Sequence, residues 1–183
     1  MRKKNFSWFF IFPFLLNWTP IAFSQEIRMN SSEKNWSVFV PMDKKECFIA
    51  SQSVKDEAFR NGEKLSSVNR DRGVLFVKKS QSSPAGFEGA FSAGYPLKIG
   101  GKFQLTIDSG AKFVFLAHPK PKNSTEKNWA WTQSHDDKKL VEKLKIGNKA
   151  IMEAISHRGT ITKDTFILTG FTKALERLIN LCG

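Results

Sequence analysis

The sequence has few of the groups that most often carry out chemistry. Its 183 residues include two cysteines, three histidines and one tyrosine. No G-x-S-x-G run appears, so nothing marks a nucleophile elbow. No glycine-rich phosphate loop appears either, and Gly100-Gly101 reads as a turn. His118, His135 and His157 lie far apart in the chain. His135-Asp136-Asp137 has metal-ligand residue types, but acids at a helix start more commonly cap it. No metal, and no other cofactor, is expected. No cysteine lies near Ser24, which argues against a lipid anchor. The chain also lacks internal repeats, a visible domain boundary and any strand–helix–strand rhythm.

What is present begins with a leader. Met1-Arg-Lys-Lys4 is cationic, and Phe6 to Phe23 is dominated by Phe, Trp, Leu and Ile. Pro13, Asn17 and Pro20 interrupt that run, which falls short of the roughly 20 apolar residues needed for a span. Ala22-Phe23-Ser24 places small residues at −3 and −1 before Gln25. Residues 1–24 therefore read as a signal peptide, and residues 25–183 as one exported domain with no transmembrane span.

Without Arg2, Lys3 and Lys4 the chain keeps 26 basic and 17 acidic residues, a formal net charge of +9. Such a charge attracts anionic partners over distances that salt shortens. Export disfavours nucleic acid, and leaves anionic envelope components or outer-membrane proteins as the expected partners. In an oxidising compartment an even pair of cysteines points to a bridge. Cys47 and Cys182 would close a loop of about 135 residues, worth on the order of 5 kcal/mol in the chain-entropy model. Two buried free thiols are the other reading. A Cys nucleophile would need a free thiolate beside a base.

Asn35 to Val40 alternates and reads as a strand, with Gln25 to Lys34 a loose leader before it. Cys47 to Ala50 is a short second strand. Ser51 to Asn69 is ambiguous, either a short helical turn around Val54 to Phe59 or a long loop. Gly73 to Lys79 reads as a strand buried on both faces. Ala90 to Ala93 is a brief pairing segment. Phe103 to Ile107 and Phe113 to Ala117 form a hairpin about Asp108-Ser-Gly110. The polar loop His118 to Asn128 leads to Trp129-Ala-Trp131. Asp136 to Lys145 reads as a helix capped by Ser134 or Asp136, with Gly147 as its C-cap. Lys149 to Ser156 and Thr160 to Leu168 are the last strands. Phe171, Ala174, Leu175, Leu178 and Cys182 then make the apolar stripe of a closing helix. Eight or nine strands with two short helices, the last C-terminal, predict a mainly β fold: a single antiparallel β-sandwich or flattened barrel.

Two surface groups are candidates for binding an anion or a partner. Lys120, Lys122 and Lys127 lie on the loop before Trp129 and Trp131. Lys138, Lys139, Lys143, Lys145 and Lys149 lie on or beside the first helix, with Lys138 and Lys139 foremost. The simpler reading makes the tryptophans core and the lysines solvated.

Several stretches together resemble a known family. They are Gly94-Tyr95-Pro96; Trp129-Ala-Trp131 with Leu140, Leu144 and Gly147; and Ser156-x-Arg158-Gly159-Thr160. The most specific follows, Asp164-x-Phe166-x-Leu168-x-Gly170-Phe171-Thr172-x-Ala174-Leu175, with Cys182. Trp36 and Cys47 fit the same pattern. Leu97 stands where Phe is expected, and Phe166 where Tyr is common. The chain resembles the invasion-associated locus B family of exported alphaproteobacterial proteins. The resemblance implies an all-β sandwich in the periplasm or envelope, in a family named for a role in host-cell entry. It implies no enzymatic reaction. The expected function is non-enzymatic binding; a small envelope-polymer hydrolase is the alternative.

Overall fold

The computed structural model describes residues 27–182, apart from residues 82 and 109. The expected signal peptide, residues 1–24, lies outside the described residues.

Among the described residues twelve strands form one antiparallel sheet. In chain order they are β1 (Ile27–Glu33), β2 (Trp36–Pro41), β3 (Phe48–Gln52), β4 (Lys55–Arg60), β5 (Glu63–Lys64) and β6 (Val74–Lys79). There follow β7 (Phe87–Ser92), β8 (Lys102–Ile107), β9 (Ala111–Ala117), β10 (Trp129–Thr132), β11 (Lys149–Ile155) and β12 (Ile161–Ile167). Helix α1 (Asp137–Ile146) precedes β11, and α2 (Phe171–Cys182) follows β12. The spatial order is β1-β2-β3-β6-β7-β10-β9-β8-β11-β12-β4-β5, with no closure into a barrel.

Strands β6, β8, β9, β11 and β12 alternate buried with more exposed positions, as one covered face requires. Leu75 and Val77 are buried on β6, Leu105 and Ile107 on β8, and Ala150, Met152 and Ala154 on β11. The sheet folds over so that its two halves share one core. Phe91 on β7 meets Phe166 on β12 edge-to-face at 6.4 Å, although five places separate these strands in the sheet order. Trp36 on β2 stacks edge-on against Phe171, and its Nε1 donates to the Ile167 carbonyl at 3.2 Å. The chain passes between halves at Ser53-Val54. There the Ser53 amide donates to Gly73 O and the Val54 amide to Thr165 O, each at 2.8 Å.

The helices close the open side of the core. Phe171, Ala174, Leu175, Leu178 and Cys182 are the buried stripe of α2, which packs mainly on β2. Cys182 is bonded to Cys47 at the entrance to β3, with Cα atoms 6.5 Å apart. At the other end of α2, Gly170 adopts φ +100, and a Cβ there would sit 1.9 Å from Glu33 O. No residue but glycine fits that junction.

Four expectations are corrected. Residues 27–33 are not a loose leader, because β1 pairs with β2 along its length. Ser51 to Asn69 holds neither helix nor one long loop, because β4 pairs with β12 and β5 with β4. The strand at residues 74–79 is buried on one face only. Asp136 holds the N-cap position of α1 and Gly147 the C-cap, as expected, but no side chain caps the helix start, and Gly147 is extended (φ −79). Space explains that glycine: a Cβ would meet Ile107 Cγ2 at 2.6 Å. The acid that matters at the helix start is Asp137. It is buried and accepts from Gly89 N at 3.1 Å, Ser83 Oγ at 3.0 Å and Thr132 Oγ1.

Candidate functional site

The outward face of the first half of the sheet is aromatic. Strand register sets Ser37, Ala50, Phe76, Ala90, Trp131 and Leu116 in one row across β2, β3, β6, β7, β10 and β9. Large and small side chains alternate between Ala50 and Trp131. Ala50 and Ala90 point outward by register yet are buried, because neighbouring rings stand over them. Phe39, Phe48 and Trp129 extend the row. Ring centroids lie 4.9 Å apart for Phe39–Phe48, 5.7 Å for Phe48–Phe76, 4.9 Å for Phe76–Trp129 and 6.3 Å for Trp129–Trp131. All five rings are half-buried. Each pair adds roughly 0.5–1.5 kcal/mol beyond the area it covers.

Two open concavities border this row. One, of about 580 Å³, runs over Ala50 between Phe48 and Phe76, with Ser37, Gln52 and Arg72 on its rim. The other, of about 350 Å³, runs over Ala90 between Phe76, Trp129 and Trp131. Its rim carries Asn123, Thr125 and Glu126 from the loop before β10, together with Lys78 and Glu88. Burial raises the Glu88 carboxyl above its ordinary value.

A charged cluster lies inside the fold. Asp164 on β12 is fully buried, and the Arg70 guanidinium grips both of its carboxylate oxygens. The same guanidinium donates to Ala93 O at 3.3 Å and lies 3.8 Å from Asp56, which β4–β12 register sets opposite Asp164. Burial pushes the Asp164 carboxyl up to about 6, against the pull of Arg70. Burial also pushes Tyr95 up to about 12, while its hydroxyl lies 2.5 Å from Thr162 Oγ1. Arg70 stands over the Tyr95 ring at 5.4 Å. This cluster backs a third concavity, of about 510 Å³, lined by Arg60, Arg70, Tyr95, His157, Arg158 and neighbouring hydroxyls.

The family model described as "Invasion associated locus B (IalB) protein" matches residues 36–179. The chain belongs to the IalB family. A solved structure of invasion associated protein B from Bartonella henselae is similar in fold, with a TM-score of 0.56 at 18% identity. That likeness covers 82% of this chain and 96% of the other. No curated protein matches.

Three of the stretches that carry the IalB resemblance meet at the third concavity, whereas Trp129 and Trp131 line the second. Gly94-Tyr95-Pro96 and Ser156, Arg158 and Thr160 line the third concavity, and Asp164 lies beneath it. Arg70, which organises this corner, sits just after the ambiguous stretch Ser51 to Asn69, in a segment to which the sequence pattern assigns nothing. A signal for Asp164 did exist: it shares the inward, buried phase of Thr162 and Phe166 on β12.

The sequence-predicted residues of the IalB chain lie elsewhere. Lys120, Lys122 and Lys127 are exposed on the loop before β10, and Lys138 and Lys139 are exposed on α1. None of them lines the three concavities. The loop folds on its polar residues, with Lys122 N donating to Glu126 Oε2 at 2.6 Å and Glu126 N to Asn123 Oδ1 at 2.8 Å. Trp129 and Trp131 do point the same way, but outward, so the view of them as core is corrected. His135 is exposed, 3.5 Å from Asp136. Among the described residues no group of three or more His, Cys, Asp or Glu could hold a metal ion, and no helix is long and apolar enough to cross a membrane.

Proposed function

We propose that this IalB-family chain is an exported envelope protein that acts by binding, and that the aromatic outer face binds a glycan strand. The observation that carries this reading is the register of half-buried rings over alanine floors. Pyranose rings present C–H groups on their faces and hydroxyls at their edges. Aromatic walls suit the first, and a rim of Asn, Gln, Ser and Thr suits the second. The net positive charge keeps the protein near anionic envelope surfaces, with Lys120, Lys122, Lys127, Lys138 and Lys139 as long-range contributors.

The competing hydrolase reading draws on the Asp56–Asp164 pair, since paired carboxylates serve acid–base chemistry. Against it, Asp164 is fully buried, and neither carboxylate lines the third concavity. Closely packed Gly73 backs Asp164 as well; a Cβ there would lie 2.8 Å from its Oδ2.

The test is co-sedimentation of the purified protein with peptidoglycan sacculi. Trp131→Ala is expected to reduce retention about tenfold or more, from the loss of one stacking anchor. Retention of Trp131→Ala equal to wild type rejects the face, and release of soluble sugar fragments by the wild type restores the hydrolase.

A further inference from the structure

The third concavity has a chemistry that the aromatic face does not share. Its lining includes three arginines, Arg60, Arg70 and Arg158, and no Asp or Glu. Asp164 neutralises Arg70 from behind, so Arg60 and Arg158 leave the cleft cationic. We propose that this concavity binds the phosphate group of a phosphate monoester.

The donors converge from separate segments. Arg60 ends β4, Arg158 is exposed on the turn from β11 to β12, and Arg70 comes from the segment before β6. Two hydroxyls are preset as donors. Thr160 Oγ1 accepts from Arg60 at 2.8 Å, and Ser156 Oγ accepts from Thr160 N at 3.1 Å. Each therefore keeps its own hydrogen for another acceptor. His157 Nδ1 lies 3.2 Å from Pro96 O, and this contact pins the turn that carries Arg158. Arg70 adds a further sign: its Nε is buried with no hydrogen-bond partner. Such a donor is one that a ligand oxygen or an ordered water completes.

The number of donors favours three terminal oxygens over the two of a carboxylate. Guanidinium groups match phosphate oxygens in geometry as well as charge. The concavity, at about 510 Å³, is far larger than a phosphate group. Val68, Tyr95 and Pro96 give the remainder an apolar wall for the organic part of the ligand. The ester can be a free molecule or a lipid headgroup, and both present the same group.

The experiment is calorimetric titration of the purified protein with inorganic phosphate and with glycerol 3-phosphate, at constant ionic strength. Vesicles of phosphatidylcholine containing phosphatidic acid form a separate arm. Saturable binding is expected, with Arg158→Gln and Arg60→Gln each weakening it about tenfold through the loss of a charge-assisted contact. Lys112→Gln with Lys173→Gln removes two exposed charges outside the concavity and is expected to leave phosphate and glycerol 3-phosphate binding unchanged. Circular dichroism and the mass of the intact bridge check that each variant folds. Binding of glycerol 3-phosphate without vesicle binding assigns the site to a free ester. Vesicle binding that depends on Arg158 assigns it to a headgroup. Absence of saturable binding in every arm overturns the proposal, as does equal weakening by the two lysine substitutions.

Discussion

The two halves of the sheet face water in different ways. On β8, β11, β12 and β4, a cross-strand row reads Gln104, Glu153, Lys163 and Glu57, with Lys163 ion-paired to Glu153 at 3.0 Å. On β2, β3, β6, β7 and β10, the corresponding row reads Ser37, Ala50, Phe76, Ala90 and Trp131. Inward positions are mostly apolar on both halves, with Asp164 and Thr162 the buried polar exceptions on β12, so the core does not require this difference. Exposed ion pairs contribute little and are complete in water. A row of half-covered rings is not complete in water, and its remaining apolar edge is available to a partner. The contrast separates a face that water completes from one that leaves apolar area uncovered within the same sheet.

Four measurements test that contrast. The largest effect concerns the bridge, which fastens α2 to the aromatic half. Replacing Cys47 and Cys182 together by Ser is expected to cost about 2–4 kcal/mol in urea unfolding. Amide exchange should rise more in β1–β3 than in β8–β12, and a uniform rise would mean the halves do not differ in their dependence on the helix. Next, Phe76→Ala removes the ring that touches both Phe48 and Trp129. Its expected cost is about 1–3 kcal/mol. Retention on sacculi should fall with it, whereas Phe59→Ala on the other half should leave retention intact.

The third measurement reads the seam between the halves, where Asp164 sits. Its carboxyl is raised in the folded state from 3.8 to about 6, so folding takes up a proton between those values. The contribution of this group to stability is therefore full below about pH 4 and is lost as pH rises through about 6. A carbon-13 titration of the Asp164 carboxyl should show a midpoint near 6, and a midpoint at or below 4 would show that Arg70 dominates over burial. The smallest effect is at the charged row. Lys163→Gln is expected to cost less than about 0.5 kcal/mol, read by urea unfolding, and to leave glycan retention unchanged.

Much of the fold was legible because the apolar period was clean where burial was one-sided. Strands β8, β9, β11 and β12 and the stripe of α2 follow from alternation and from three- and four-residue offsets alone. Strands β1, β4 and β5 were not legible, because they lie at or near the sheet ends and carry polar residues on both faces. Local pattern reports burial, and burial is slight there. The aromatic face was half legible. The shared direction of Trp129 and Trp131 could be read, but not which side was outward, since aromatic residues fit a core equally well. Its other members come from β2, β3 and β6, and only register brings them together. The Arg70–Asp164 pair spans 94 residues in sequence, and nothing local announces it.

The two-residue passage at Ser53-Val54 also governs timing. Strand β3 finds its neighbour in β6, soon after it is made, whereas β4 must wait for β12 before it has a sheet to join. An emerging chain thus carries β4 and β5 unplaced through most of its synthesis. Sheets assembled from such distant pairings form slowly. For this protein the late arrival of β12 sets the interval in which its early strands are exposed to unwanted pairing.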